Sequence, residues 1–427
     1  MKFSVIVSRT VAVATMAACV VARADMVTEW NANAAHATQT GLAATPPLEA
    51  RAMAIVQAAV YDAVNGIAQE YEPYFVTEQA PPGARPEAAA AQAAYTVLVA
   101  LLPAQKTNFD AELAVSLAEI PGSQGNSVSI ARGLAWGAHV ANLILAWRST
   151  DGLTTPLPPY FGGTGPGVWR SLPTPTAPDG TLPGAFPQFA ILTPFAIASP
   201  SQFLPGPPPA LTTQQYADDV NEIKAIGGTV SSVRTAEQTQ VAQLWAAVGP
   251  AEENAAVVGV LPETNRLVDN ARTLALANIV LTDCLIASFN CKYTYNLWRP
   301  YHAIRLADTD GNPLTDPDPT WTPLVTTPRF PEYVSNHAIL TAGFMRTLSD
   351  LLGDEHTFVL SSPAYPSFTI TYNRFSDAAE EVKFARMWGG LHFRNSCDVG
   401  QAMGVQIADY VVGNFLRPLD GGSEDGQ

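Results

Sequence analysis

Apolar residues recur at helical spacing through most of this chain. In Glu49–Ile67 they fall at Ala52, Ile55, Val56, Ala59, Val60, Ala63 and Val64 with no internal proline, which predicts a helix with one buried face. Ala88–Leu102, bounded by Pro86 and Pro103, predicts a second. Its uncharged run is shorter than the roughly 20 residues a membrane span needs, so it reads as core. Helical spacing also predicts Asn126–Trp147, Thr212–Ile226, Thr235–Val248, Asn265–Trp298, Ala338–Leu352, Ser376–Trp388 and Val399–Phe415. Alternation of period two is scarce. The expected fold is mainly α, built of packed helical bundles.

Asp151–Ala210 interrupts this pattern and holds 15 of the 35 prolines. A flexible linker would be poor in aromatics, yet Phe161, Trp169, Phe186, Phe189, Phe195 and Phe203 run through it. It is expected to be an ordered, proline-stiffened strap across the helices. The chain then divides into a leader (1–24) and one domain (25–427). That domain comprises N-terminal helices (25–150), the strap (151–210) and a C-terminal bundle (211–420).

The leader has Lys2 and Arg9, an apolar run Val11–Val21 and a small-x-small site at Ala22-Arg23-Ala24, the pattern of a secretory signal. Its removal leaves no membrane span expected in the mature chain and places the protein in the periplasm or outside the cell. Charge then matters. With 23 Lys+Arg against 38 Asp+Glu the chain carries −15, and losing Lys2, Arg9 and Arg23 makes it −18. A nucleic-acid binder normally shows a basic footprint, so that class is excluded. Cys19 leaves with the leader. The remaining Cys284, Cys291 and Cys397 form no CxxC pair, and seven helical residues hold the first two about 10 Å apart, so buried free thiols are expected.

Three stretches carry candidate chemistry. In Lys292-Tyr-Thr-Tyr-Asn-Leu-Trp-Arg299-Pro300, seven residues make almost two helical turns, so both cations are expected on one face of a helix that Pro300 closes. In Pro331-Glu-Tyr-Val-Ser335-Asn336-His337, Ser335 is the expected N-cap of the following helix, with His337 in its first turn. In Arg386-Met-Trp-Gly-Gly-Leu-His392, Gly389-Gly390 is expected to break the helix and fold His392 back towards Arg386. Singly, each has a plain structural reading: a solvated basic face, a capping turn, a helix stop. Together they supply three cations, a helix N-terminus and two histidines, the requirement of a site for a tetrahedral oxyanion.

Lys-x6-Arg-Pro, Ser-x-His and Arg-x5-His, in that order, resemble the vanadium-dependent haloperoxidases, which share their site with the type 2 phosphatidic acid phosphatases and bacterial acid phosphatases. Ala50–Asn65, the proline-rich Pro194–Ala210 and the Asp310–Pro331 loop are also similar to secreted bacterial members. The resemblance implies that Lys292, Arg299 and Arg386 bind the equatorial oxygens of vanadate, together with Ser335 and the backbone at Asn336. It implies that His392 is the axial metal ligand and His337 the acid–base group. Lys292 would polarise bound peroxide, halide would attack it, and hypohalous acid would pass to an organic acceptor. In an acid phosphatase, His392 would instead attack phosphorus of a phosphate monoester to give a phosphohistidine, with His337 protonating the leaving group. A non-catalytic phosphate or vanadate binder is a third reading, and a homo-oligomer is open to the helical faces.

Three positions depart from the family pattern. Asn336 replaces a usual Gly, and is expected to tolerate φ > 0 while its side chain crowds the anion. Ala385 replaces a Ser. Ser396 stands where an Asp often orients the axial His, leaving Asp398 as the candidate substitute. Elsewhere, Asp308–Asp318 reads as a solvated turn rather than a calcium loop, and His36, His139, His302 and His356 are too scattered for a zinc site. His302 is placed beside the site or at the surface; Trp298 and Trp388 are expected in the core or walling a pocket.

Overall fold

The computed structural model describes residues 25–42, 45–122, 126–172, 182–261 and 265–419. The leader, including Cys19, lies outside the described residues, as does 173–181 within the strap.

Helical spacing becomes helices. Among the described residues the chain forms α1 (Met26–Gly41), α2 (Pro46–Ala68), α3 (Pro86–Leu101), α4 (Lys106–Glu119), α5 (Ser127–Arg148), α6 (Gln214–Ile226), α7 (Ala236–Ala247), α8 (Pro250–Val257), α9 (Leu267–Tyr295), α10 (Pro300–Arg305), α11 (Asn336–Leu352), α12 (Phe375–Trp388) and α13 (Arg394–Asn414). One hairpin, β1 (Phe358–Leu360) with β2 (Ile370–Tyr372), is antiparallel and pairs Phe358 with Tyr372. All nine predicted helices are present. Missed were α1, α4, α8, α10 and the hairpin; α8 buries Glu252, Glu253 and Asn254 beside Ala251 and Val257, which blurs its apolar signal.

Two bundles meet along one helix. α2, α3 and α5 pack together on the N-terminal side, and α9 packs on α2 from the other. α11 and α13 complete the C-terminal bundle around α9, with α12 outside them. α9 is buried along most of its length from Val268 to Lys292. Close approach explains how three site-bearing helices fit. A Cβ at Gly404 would stand 2.3 Å from the Ile339 carbonyl oxygen, and one at Gly343 would stand 2.6 Å from Cys284 Sγ. Glycine lets the α13 backbone meet that of α11, and lets the Cys284 side chain of α9 lie against α11.

Among the described residues, two helices have the length and apolarity of a membrane span, α9 and α5. The apolar stretch of α9 is 94% buried inside the protein, whereas that of α5 is 33% buried.

The described parts of the strap are packed. Trp169, Phe189 and Phe195 are buried, whereas Phe161 is exposed. Asp283 on α9 holds the strap by accepting the backbone N–H groups of Phe195 (2.6 Å), Ala196 (2.7 Å) and Ile197 (2.9 Å). Farther along, Trp169 N–H donates to Asn296 O at the end of α9 (2.8 Å). Cys284, Cys291 and Cys397 are free and buried.

Candidate active site

The oxyanion site takes shape where three chain breaks meet. α9 ends at Tyr295, with Asn296 left-handed (φ 54°) as its cap, and the chain turns before α10. Lys292 and Arg299 therefore do not share one helical face. Pro300 opens α10 at the position where proline's missing N–H costs nothing, and Arg299 occupies the N-cap position before it. The turn, rather than a common helix, brings the cations together.

Both cations are fully buried. Lys292 Nζ donates to Glu332 O (2.9 Å) and to Val334 O. Arg299 Nε donates to Phe330 O (2.8 Å) and Nη1 to Leu391 O (2.9 Å), while the Phe330 ring lies 4.9 Å from its guanidinium carbon. Burial pushes the Lys292 ammonium well below its usual range, and the Arg299 charge adds to the effect. Arg386, on the last turn of α12, is buried too and donates from Nη1 to Trp245 O (3.3 Å).

The glycine pair ends α12 as expected, but the cation it brings His392 into contact with is Arg299 rather than Arg386. α12 stops at Trp388, Gly390 takes φ +73°, and His392 returns beside Arg299 before α13 begins. Its two ring nitrogens have different partners. Nε2 lies 3.1 Å from Arg299 Nη1, which can only donate, so Nε2 carries the lone pair. Nδ1 lies 2.9 Å from Glu332 Oε1 and donates to it. Glu332 Oε1 also accepts the Phe393 N–H (2.9 Å), which ties the carboxylate to the backbone after the histidine. Burial and the Arg299 and Lys292 charges hold His392 neutral, far below its usual pKa. Glu332 thus does what Asp398 was proposed to do. Asp398 instead pairs with Lys383 (3.1 Å) at half exposure.

Ser335 precedes α11 but makes no capping bond; its Oγ is buried without a partner. Asn336 is the first residue of α11 and has no positive φ, so the expected left-handed backbone is absent. Its Oδ1 accepts from Ser288 Oγ on α9 (2.9 Å), which fixes the side chain expected to crowd the anion. His337 is half-buried where the other site residues are buried. Its Nε2 donates to Val248 O (3.3 Å), and burial and Arg386 push its pKa well down. Sequence reasoning missed Glu332, Ser288, Phe330 and the carbonyls of Trp245 and Val248. Only Glu332 left a signal, as an acid inside the Pro331–His337 stretch.

Remaining candidates fall elsewhere. Trp298 is fully buried and Trp388 stacks on Phe384 at 5.8 Å. His302 is buried on α10, with its pKa lowered to about 4 by burial and the Arg170 charge. Asp310 and Asn312 close their own turn by accepting the N–H groups of Asn312 and Leu314. Among the described residues no group of three or more His, Cys, Asp or Glu side chains could hold a metal ion by itself. That suits an oxyanion, whose charge is met by cations.

Residues 272–421, which include every site residue, match the family model described as the VCPO second helical-bundle domain. The crystal structure of a bacterial vanadium-dependent iodoperoxidase superposes with TM-score 0.77 at 23% identity, over 94% of this chain and 99% of that one. The chain has the vanadium-haloperoxidase fold. Bacterial vanadium-dependent chloroperoxidase is also similar, in apo form (TM-score 0.67, 17% identity, 86% of this chain and 92% of that one) and holo form (0.66, 17%, 86% and 91%). No curated protein matches the sequence.

Whether vanadate or phosphate fits is tested by the donors left over. Arg299 Nη2, Arg386 Nε and Ser335 Oγ are buried and have no protein partner. The first N–H groups of α11 have none within their helix. Lys292, Arg299 and Arg386 are buried with a single acid, Glu332, among them. Such a set fits an oxyanion.

Proposed function

We propose that this protein is a vanadate-dependent haloperoxidase, oxidising halide with hydrogen peroxide to hypohalous acid that reaches an organic acceptor. One observation carries the reading. His392 is held with its proton on Nδ1 and its Nε2 lone pair turned to Arg299 Nη1, beside three buried donors without protein partners, in a chain of this fold. Lys292, Arg299, Arg386, Ser335 and the Asn336 N–H would hold the vanadate oxygens, and His392 Nε2 would meet the metal. Bound vanadate supplies a Lewis-acidic centre that activates peroxide without changing oxidation state.

The protein's own part is electrostatic. The donors are fixed before the anion arrives, so no reorganisation is needed when charge shifts during oxidation. A bound anion opposes the burial that lowers Lys292, keeping the ammonium available to polarise peroxide. His337, held neutral by burial, would supply the proton that the reaction H2O2 + X− + H+ → HOX + H2O requires. Residues 1–24 have the pattern of an export signal, so the mature enzyme would act in the periplasm or outside the cell.

Peroxide-dependent bromination of a dimedone reporter, titrated with orthovanadate, tests the reading. Saturable turnover that phosphate suppresses and His392→Ala abolishes is the expected result. No turnover across halides and pH would overturn it, and hydrolysis of a phosphate monoester by the same protein would assign it to the phosphatases. Fractionation with N-terminal sequencing tests export, with Asp25 expected as the first residue.

A further inference from the structure

Arg386 and His337 rest on the same piece of backbone. Arg386 Nη1 donates to Trp245 O (3.3 Å) and His337 Nε2 to Val248 O (3.3 Å). Both carbonyls belong to the C-terminal end of α7, which runs to Ala247 with Val248 as its cap. The last carbonyls of a helix have no partner within it and lie at the negative end of its dipole. That end is a seat for a guanidinium and for an imidazole N–H.

The hairpin fixes the seat. β1 and β2 lie in the chain between α11, which carries His337, and α12, which carries Arg386. Trp245 and Tyr372 are both buried. Trp245 Nε1 donates to Tyr372 Oη on β2 (3.1 Å), and Tyr372 Oη donates to Glu381 Oε1 on α12 (2.7 Å). This order of donors is forced, because an indole N–H only donates and a carboxylate only accepts. The hydroxyl does both. Two more bonds reach α7 from the segment that joins the strands: Tyr365 Oη donates to Gln243 Oε1 (2.8 Å) and Ser362 Oγ to Ala247 O (2.7 Å). Beyond the helix end, Gly249 N donates to Glu252 Oε2 (2.9 Å) and closes the turn into α8.

We infer that Tyr372 is a positioning residue for the oxyanion site, acting through Trp245 on Arg386 and His337. Through Glu381 it ties the carbonyl end of α7 to α12, the helix that carries Arg386 five residues later. Without the hydroxyl the indole N–H is buried with no acceptor, a state relieved by shifting the ring and the helix end that bears it. The carbonyls of Trp245 and Val248 then move away from the two side chains they receive. The inference rests on Arg386 and His337 serving the site proposed above.

Calorimetric titration with inorganic phosphate and bromination at saturating orthovanadate test it, both well below the unfolding temperature. Tyr372→Phe keeps the ring and removes the hydroxyl. It should weaken phosphate binding through Arg386 and slow turnover through His337, each by about fivefold, less than the loss of a direct outer partner because it acts at one remove. Trp245→Phe should do the same, and the double variant should be no worse than the weaker single one, since both changes break one connection. If Trp245→Phe does not fold, Glu381→Ala replaces it in the cycle, with a smaller loss alone and none added to Tyr372→Phe. Wild-type phosphate affinity in Tyr372→Phe, with only the unfolding temperature lowered, overturns the inference and leaves Tyr372 a purely structural residue. Losses that multiply in the double variant overturn it too. A wild type that binds phosphate and brominates nothing loses the proposed function, and the phosphate cycle still decides on Tyr372. A wild type that binds neither anion overturns both.

Discussion

Glu332 Oε1 sits 2.9 Å from His392 Nδ1, and that one contact decides which nitrogen of the histidine faces the oxyanion site. With the proton held on Nδ1, Nε2 presents a lone pair at 3.1 Å from Arg299 Nη1. Without the carboxylate the ring is free to adopt the other tautomer, which would aim an N–H where a ligand atom is needed.

Glu332→Ala should therefore weaken orthovanadate and phosphate binding by roughly 10- to 100-fold. Glu332→Gln keeps an acceptor oxygen for Nδ1 and should fall between the two. Nitrogen-15 shifts of His392 check the tautomer directly: wild type and Gln variant protonated at Nδ1, the Ala variant mixed. Equal affinities in all three proteins would refute the orienting role.

Arg299 joins three chain segments while keeping one nitrogen free. Its fork bonds Phe330 O and Leu391 O at once, leaving Nη2 for the anion. An ammonium is a point charge and cannot span both carbonyls. Arg299→Lys keeps the charge, yet phosphate affinity should fall at least about tenfold. Retained affinity would mean that charge alone suffices.

His337 separates binding from chemistry. It is half-buried and bonded to Val248 O, outside the set of unpartnered donors. His337→Ala should leave vanadate affinity within about threefold of wild type while removing most turnover, since general acid–base groups contribute about 10²–10⁴-fold. Loss of affinity equal to loss of turnover would make His337 a binding residue instead.

Much of this was legible in the sequence, for reasons that differ by residue. Helices such as α2 and α9 were readable because their apolar positions face one core. α8 was not, since it is only eight residues long and its buried positions mix Glu252, Glu253 and Asn254 with Ala251 and Val257. Spacing picked out Lys292 and Arg299 for the wrong reason, a shared helical face, since the turn after Tyr295 is what brings them together. Pro300 misled because proline both stops one helix and starts the next. Glu332 could not be paired with His392 from the sequence: 60 residues separate them, and only the return of the chain after Gly390 brings them together.

Glu253 gives a prediction in pH. Its carboxyl accepts from Thr341 Oγ1 (2.5 Å) on α11, and burial raises its pKa to about 7. The unfolded chain ionises it near 4.5, so the folded state binds more protons across that window and stability falls as pH rises through it. Glu253→Gln stays neutral and should match wild type near pH 4, then exceed it at pH 8 by an amount of the order of 3 kcal/mol. His337 and His392 tilt the curve the other way in both proteins and cancel from the difference. Thermal unfolding against pH checks this; parallel curves would mean that Glu253 titrates normally in the fold.

Asp283 ties the proline-rich strap to the helix that carries Lys292, nine residues upstream of it. Its two oxygens accept three consecutive N–H groups, from Phe195 to Ile197, and Arg148 grips the same segment from α5 through Thr193 O (2.7 Å) and Pro194 O (3.1 Å). Prolines cannot donate backbone hydrogen bonds, so a proline-rich segment depends on such few anchors for its placement. Asp283→Asn turns one acceptor into a donor facing N–H groups and should cost about 2–3 kcal/mol. The strap should loosen before the bundles do, because Trp169 and its bond to Asn296 hold the other end independently. Limited proteolysis should then cut the variant within 182–210 under conditions that leave wild type intact, with helix content unchanged. Cleavage first in the helices, or wild-type resistance together with a wild-type Tm, would show that Asp283 is not what fixes the strap.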